Sequence, residues 1–264
     1  MPNASFVVPG ETAIITGAGS GIGREITDHL TSLGVNAAIN DIDEAALAEV
    51  EAEMASNTGD LITIADDASD MSAAVDLVDF AVSEFGGVDI LINNVGIAGP
   101  TKPCEDLTMQ EFLGTIEVNL GAMFATSKAA IPHLRNGDSG RIVNLSSMSG
   151  KRPLMDRTPY VTSKMGVIGF TRTLATELAT DGITVNAICP GSVEGERLDA
   201  VIEGQAKSQN RSLSEVEEEF QNVSPMKKFV QASDVADTVV YLCSEHADSM
   251  TGQDLNVTAG IVMY

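Results

Sequence analysis

The chain has 264 residues, 44% of them hydrophobic, and its 38 acidic and 15 basic residues give a formal net charge of −23. This length favours one large domain over two small ones, and the scarcity of Lys and Arg argues against a nucleic-acid partner, because those cations bind phosphates. Three scattered Cys and three scattered His support neither a disulfide framework nor a zinc site, and no apolar stretch approaches the roughly 20 residues that span a bilayer.

Predicted strands and helices alternate along the chain. Apolar and β-branched runs predict strands at residues 12–16, 35–40, 61–65, 88–92, 141–145, 183–188 and 255–257. Helical patterns cover residues 22–33, 44–55, 71–85, 109–131, 159–180 and 233–244. Residues 212–219 resemble a further helix capped by Ser212 or Ser214. This order predicts an α/β fold of the Rossmann type, a doubly wound and mostly parallel sheet in a single domain spanning residues 1–264, with ligands at the carboxyl ends of the strands.

A glycine-rich turn joins the first predicted strand to the first predicted helix. Its glycines, Gly17, Gly21 and Gly23, follow a Gly-x-x-x-Gly-x-Gly spacing. The spacing alone also fits an ordinary tight turn. Because this turn follows a strand and opens a helix, its backbone amides and the helix N-terminus can face one ligand. The arrangement favours the pyrophosphate of a dinucleotide, which can approach closely where side chains are absent.

Asp41 ends the second predicted strand, eighteen residues beyond Gly23. A carboxylate at this place accepts hydrogen bonds from the adenosine ribose hydroxyls and repels a 2′-phosphate, so we expect NAD rather than NADP. The alternative is a turn-forming role within residues 40–43. Arg24 is the one cation nearby in the sequence, and we expect it to be a solvated surface residue rather than a phosphate ligand.

Tyr160 and Lys164 stand four residues apart in a predicted helix, thirteen residues after Ser147. Residues with this spacing lie on the same helix face, so the ammonium would lie alongside the phenol ring. A phenol becomes a base near neutral pH only where a cation stabilises its phenolate. The pair therefore predicts proton transfer in a redox enzyme, although a surface pair has the same spacing.

Several further motifs occur in a fixed order with these residues. The segment 93–96 reads Asn-Asn-Val-Gly, and Asn119 and Ser147 follow it before Tyr160 and Lys164. In this order and spacing, the sequence resembles the classical short-chain dehydrogenase/reductase family over essentially its whole length. The resemblance implies that Asn119, Ser147, Tyr160 and Lys164 form a catalytic tetrad. Ser146 is the rival serine, and the family's spacing to the Tyr selects Ser147.

The resemblance also implies the cofactor site. Asp67 would touch the adenine, and Asn93 would lie where the cofactor passes the fourth strand. The cofactor contacts that it implies come from Gly17, Ser20, Gly21, Ile22, Gly23, Asp41, Asp67, Asn93, Gly96, Tyr160, Lys164, Pro190, Gly191 and Val193.

The implied reaction interconverts a secondary alcohol and its ketone, or a sugar lactol and its lactone. Tyr160 would exchange the alcohol proton while hydride passes to NAD, Ser147 would hold the substrate oxygen, and Asn119 would fix a water. An alternative of the same family is a 3-oxoacyl thioester reductase, against which Asp41 argues. An alternative of another class is a non-catalytic dinucleotide-binding regulator, against which the complete tetrad argues.

Substrate choice should depend on the family's variable loop, near residues 192–228, and on residues 151–159. Arg152, Arg157 and Arg197 could meet an anionic substrate group, but in so acidic a chain we expect surface ion pairs. The sequence departs from the family pattern at Val95, at Gly195 where a Thr is common, and at residues 257–260.

The net charge and the family resemblance lead to expectations about salt adaptation, assembly and localisation. Acidic residues spread over the whole chain suit a salt-adapted, halophilic protein with an acidic surface, because salt screens their mutual repulsion; an ordinary acidic enzyme is the alternative. The family implies a homotetramer. Residues 1–11 show no secretion signal, so we expect a cytoplasmic protein with a small-molecule substrate and neither a membrane nor a nucleic-acid partner.

Overall fold

The computed structural model describes Val7, residues 9–137 and residues 139–264, with the backbone alone described at residues 196 and 208. Outside this set lie residues 1–6 and 8. Part of the expectation about a secretion signal depends on these residues. The strands are β1 (Thr12–Thr16), β2 (Asn36–Asp41), β3 (Leu61–Ala65), β4 (Ile90–Asn93), β5 (Arg141–Leu145), β6 (Thr184–Pro190) and β7 (Asp254–Val257). The helices are α1 (Gly21–Ser32), α2 (Glu44–Met54), α3 (Met71–Phe85), α4 (Met109–Ile116), α5 (Ala122–Leu134), α6 (Thr158–Leu178), α7 (Glu196–Gln209), α8 (Leu213–Val223) and α9 (Ala232–Cys243).

The seven strands form one parallel sheet in the order β3-β2-β1-β4-β5-β6-β7. The order reverses between β1 and β4, which places the ends of both strands at a switch point. Ligands of open α/β sheets bind beyond the carboxyl ends of the strands at this point. The predicted single Rossmann-type domain is confirmed.

Both faces of the sheet are buried. Neighbouring residues of a strand point to opposite faces, so each strand supplies side chains to two cores. Ile15 packs in a core with Ile26 of α1 and Val239 of α9. Its neighbour Ile14 packs on the other face with Leu77 of α3. Strands that are apolar at consecutive positions are therefore covered by helices on both sides.

The segment between β6 and α9 carries a small core of its own. Leu198 and Ile202 of α7 pack with Val216 of α8, and Phe220 and Phe229 cover them. Ser212 caps α8 through a reciprocal bond with Glu215, which decides between the two predicted caps. Since α7 and α8 pack mainly against each other, the pair can serve as one cover over the carboxyl edge.

The predicted helix at residues 109–131 is wrong in one respect. The structure divides it into α4, a π-helical turn at Glu117–Gly121, and α5, which continues through Pro132 to Leu134. Among the described helices, none is both long and apolar enough to cross a bilayer. Nor do the described side chains bring together three His, Cys, Asp or Glu that could hold a metal ion.

Candidate active site

The glycine loop occupies the turn between β1 and α1. Gly17 and Gly21 have φ values of 64° and 54°, in the left-handed region that favours glycine. A Cβ on Gly23 would collide with the carbonyl oxygen of Gly17 and lie 2.6 Å from Nδ2 of Asn94, whereas a Cβ on Gly21 would meet nothing within 4 Å. The loop is therefore closed toward the sheet and open on its outer side, as a cradle for a diphosphate requires.

Asn94 braces this loop, and the sequence analysis assigned it no role. Its Nδ2 donates to the carbonyl oxygens of Thr16, at 3.1 Å, and Gly17, at 2.7 Å. Its backbone N–H donates to Oγ1 of Thr16 at 3.1 Å. These bonds join the end of β4 to the end of β1 and fix the first turn of the loop.

Asp41 lies at the carboxyl end of β2, directly beside the loop. Its carboxylate accepts hydrogen bonds from the N–H of Gly19, at 2.9 Å, and of Asp43, at 3.2 Å. Arg24, the nearby cation, is ion-paired with Glu53 of α2. A carboxylate thus lies directly against the loop, and the neighbouring cation is paired with an acid.

Asp67 follows β3, Asn93 is the last residue of β4, and the two side chains differ in accessibility. Asp67 is exposed, and its carboxylate accepts from the N–H and Oγ of Ser69 at 2.9 and 2.7 Å. Asn93 is buried, and its side chain bonds to Ser127, Asn144 and Thr126. Asn93 therefore ties β4, β5 and α5 together with its side chain, and only its backbone is available to a ligand.

Tyr160 and Lys164 lie on consecutive turns of α6. Lys164 is buried, and its Nζ donates to the carbonyl oxygen of Leu145 at 2.7 Å. Burial penalises the ammonium, and the charge of Arg197 repels it; together they lower the pKa of Lys164 to about 7. A Cβ on Gly96 would lie 3.1 Å from this Nζ. Lys164 is therefore held between the ends of β4 and β5.

The two candidate serines follow β5 and differ in their partners. Ser146 donates from Oγ to the backbone carbonyl of Lys164 at 2.7 Å, which anchors α6 to the sheet. Oγ of Ser147 accepts from the N–H of Ser149 at 3.1 Å. The hydroxyl proton of Ser147 finds no acceptor among the described groups, so this residue has a donor to offer a substrate oxygen.

Asn119 lies in the π-helical turn between α4 and α5. Its Oδ1 accepts from the N–H of Ile97 at 2.7 Å, and its Nδ2 donates to the carbonyl oxygen of Ile97 and to Oγ of Ser163. Such single π-helical turns are frequent at functional sites. Here the turn directs an amide toward α6, where Ser163 precedes Lys164.

Pro190 is the last residue of β6, and Gly191 and Val193 follow it. The N–H of Gly191 donates to the carbonyl oxygen of Val257 at 2.8 Å, and a Cβ on Gly191 would lie 2.9 Å from the Cα of Thr258. Val193 pairs with Val230 in an isolated bridge. Residues 257–260, which depart from the family pattern, therefore pack directly beneath this wall of the site.

Arg157 and Arg197 form none of the expected surface ion pairs with the side chains that the structure describes. Arg157 is buried, with its guanidinium carbon 4.9 Å from the ring centre of Tyr160. Arg197 lies 5.8 Å from the same ring centre and donates to the carbonyl oxygen of Gly96 at 3.2 Å. Both arginines thus belong to the surroundings of Tyr160.

The fold and the site define a class of protein, the Rossmann-type enzymes whose cradle for a dinucleotide adjoins a Tyr–Lys pair. The family model described as "Enoyl-(Acyl carrier protein) reductase" matches residues 17–262. With that match and the relatives below, the chain belongs to the short-chain dehydrogenase/reductase family.

Curated relatives match over nearly their whole length. The chain is 34% identical over 254 residues to a diacetyl reductase [(S)-acetoin forming] of Staphylococcus epidermidis and over 257 residues to a D-beta-hydroxybutyrate dehydrogenase of Cupriavidus necator. It is also 34% identical over 254 residues to the 3-oxoacyl-[acyl-carrier-protein] reductase FabG of Staphylococcus aureus. Each match covers 96% of this chain and 98% of the relative.

Solved structures match over the same share of this chain. An NAD⁺-bound xylitol dehydrogenase matches with a TM-score of 0.92 and 29% identity, over 96% of this chain and 99% of that chain. A carveol dehydrogenase from Mycobacterium avium in complex with NAD matches with a TM-score of 0.91 and 27% identity, over 96% and 98% of the two chains.

Proposed function

We propose that this protein is an NAD-dependent oxidoreductase that interconverts a secondary alcohol, or a sugar lactol, and its carbonyl form. The observation that carries the proposal is the placement of Lys164 between the ends of β4 and β5, beside the glycine cradle. The xylitol and carveol dehydrogenases with bound NAD share this fold at TM-scores above 0.9.

Each residue of the predicted tetrad has its own role in the reaction. Tyr160 accepts the alcohol proton in oxidation and returns it in reduction. Lys164 stabilises the phenolate and binds the nicotinamide ribose, and Ser147 donates to the substrate oxygen. Asn119 positions a water that connects the site to solvent. When bound, NAD supplies the hydride acceptor.

The chain's own residues fit NAD. The cradle formed by Gly17, Ser20, Gly21, Ile22 and Gly23 holds the diphosphate, with Gly96, Pro190, Gly191 and Val193 along the nicotinamide half. Asp41 binds the adenosine ribose, and Asp67 borders the adenine. The carboxylate of Asp41 beside the N–H of Gly19 supports NAD over NADP.

A second candidate of the same family is a 3-oxoacyl thioester reductase, which the FabG relative favours. Its usual cofactor is NADPH, so the ratio of kcat/KM for NAD and NADP discriminates between the two. A preference for NADPH with an acyl thioester would replace the first proposal.

We also propose that residues 192–228 form the substrate cover and that the protein assembles as a homotetramer in a salty cytoplasm. Exposed apolar side chains on α4, α5 and α6 supply area for subunit contacts, namely Met109, Leu113, Phe124 and Met165. The net charge of −23 supports salt adaptation and a halophilic, acidic surface. Light scattering after chromatography in low and molar KCl tests both points, because a salt-adapted tetramer should dissociate or unfold at low salt.

The experiment that tests the function is a substrate screen. Reduction of NAD is followed by absorbance in molar KCl with neutral secondary alcohols, sugars, polyols, hydroxy acids and hydroxyacyl thioesters. Turnover of a secondary alcohol or a sugar supports the proposal. NADH binding without turnover of any of these compounds would favour a regulatory dinucleotide-binding protein.

A further inference from the structure

Two guanidinium groups from different parts of the fold flank the ring of Tyr160. Arg157 directly precedes α6, and its guanidinium carbon lies 4.9 Å from the ring centre. Arg197 stands in the first turn of α7, on the cover, at 5.8 Å. The ring of Tyr160 thus has one cation near it from the start of α6 and one from the start of α7.

No carboxylate in the part of the chain that the structure describes pairs with either of these two cations. Among the ion pairs between described side chains, none includes Arg157 or Arg197, although the chain has 38 acidic and 15 basic residues. Within the described residues, the Arg157 guanidinium donates to Oγ1 of Thr101 and the carbonyl oxygen of Ala98, at 3.2 and 3.1 Å. Its buried Nε has no hydrogen-bond partner.

An unpaired cation in a buried position is costly, and two cations near each other add repulsion. Burial, together with the charge of Arg197, lowers the pKa of the Arg157 guanidinium. An anion bound to both groups removes the repulsion between them. A planar guanidinium matches the two oxygens of a carboxylate.

We propose that Arg157 and Arg197 bind a carboxylate of the substrate, so that the enzyme acts on short hydroxy acids and the corresponding oxo acids. This inference rests on the proposed oxidoreductase function. Since both guanidinium groups adjoin the ring of Tyr160, the carboxylate must lie within one or two carbons of the carbinol carbon. Oxidation removes a hydride, which NAD takes up, and a proton, which Tyr160 accepts; the carboxylate is unchanged.

Two other roles for these arginines give different results. If they served only to stabilise the phenolate of Tyr160, their loss would impair charged and neutral substrates equally. If Arg197 instead bound the diphosphate of the cofactor, its loss would weaken NADH binding. The decisive quantity is therefore the preference for an acid over its uncharged ester.

The experiment compares 2-hydroxybutyrate and 3-hydroxybutyrate with their methyl esters in the NAD-linked assay. The variants are Arg157→Gln, Arg157→Lys and Arg197→Gln, and the control is Arg135→Gln, which removes a surface charge at the end of α5 that pairs with Asp181. Arg157→Gln and Arg197→Gln should each lose about 10- to 100-fold in kcat/KM for an acid, mainly through KM. The esters, the control and the Kd of NADH should change less than about 3-fold, and Arg157→Lys should recover part of the loss.

The proposal is overturned if wild-type enzyme uses the ester as well as the acid, or if a Gln variant impairs both equally or weakens NADH binding. Failure of the proposed function is a separate result, in which neither the acids nor 2,3-butanediol and xylitol are oxidised. In that case, calorimetric titration of malonate and dimethyl malonate into the NADH complex tests whether the two arginines bind a carboxylate. Malonate binding that the Gln variants abolish supports the carboxylate site, and equal binding of the two compounds contradicts it.

Discussion

Replacing Lys164 by Met should change the pH dependence of stability in a defined direction. The buried ammonium has a pKa of about 7 in the folded protein against 10.5 for an ordinary lysine. Between these values the unfolded chain binds the proton and the folded protein does not, so the stability of the wild type rises with pH over this window. Below about pH 7 the folded state carries the full cost of the buried charge.

The magnitude follows from the difference between the two pKa values. At 1.36 kcal/mol per pH unit, the cost of the buried charge is about 5 kcal/mol. Met removes this cost but also leaves the Leu145 carbonyl without the donor at 2.7 Å, which costs about 1–3 kcal/mol. Lys164→Met should therefore be more stable than wild type by about 2–4 kcal/mol near pH 6 and less stable by about 1–3 kcal/mol near pH 10.5.

The assay is urea unfolding of cofactor-free protein at both pH values, at fixed salt and protein concentration. Subtracting the free energy of unfolding of the wild type from that of the variant cancels the contributions of other titrating groups. Replacement of the exposed Lys228 by Met serves as the control. A stability difference for Lys164→Met that is equal at the two pH values would refute the assignment of a desolvated ammonium.

Three further predictions concern the cradle and the thiols. Gly23→Ala should abolish NADH binding and destabilise the fold by several kcal/mol, because the new Cβ meets the Gly17 carbonyl; calorimetry and thermal unfolding measure both effects, and retained binding would contradict the close approach. Asp41→Ala should lower kcat/KM for NAD and raise it for NADP, and an unchanged ratio would remove the role of this carboxylate. Native protein should react with a thiol reagent at the exposed Cys104 alone, because burial raises the pKa of Cys189 and raises that of Cys243 to about 12; rapid labelling of more than one thiol would contradict this burial.

Local sequence patterns predicted the elements whose ends are set by neighbouring residues. The bounds 12–16, 61–65, 71–85 and 141–145 agree with β1, β3, α3 and β5. For α3, the side chain of Asp70 caps the first turn and Gly86 ends the helix at a φ of 88°. Capping and glycine are visible in the sequence, which is why this boundary was predictable.

Features that depend on distant contacts were not predictable. The π-helical turn at Asn119 is held by bonds to Ile97 and Ser163, which lie 22 and 44 residues away. Arg157 was expected at the surface, yet the Tyr160 ring and the carbonyl oxygen of Ala98 enclose it. Likewise, the hydroxyl of Ser146 binds the backbone carbonyl of Lys164, 18 residues away, which local sequence does not show.

The central claim is that Tyr160 transfers the proton in an NAD-linked oxidation of an alcohol. Its most direct test measures NAD reduction by Tyr160→Phe, with any alcohol that the wild type oxidises, together with the Kd of NADH. Phe retains the ring between Arg157 and Arg197 and removes only the hydroxyl. The proposed mechanism predicts that turnover falls by at least about 100-fold while NADH binding is unchanged. Turnover close to that of the wild type would contradict it.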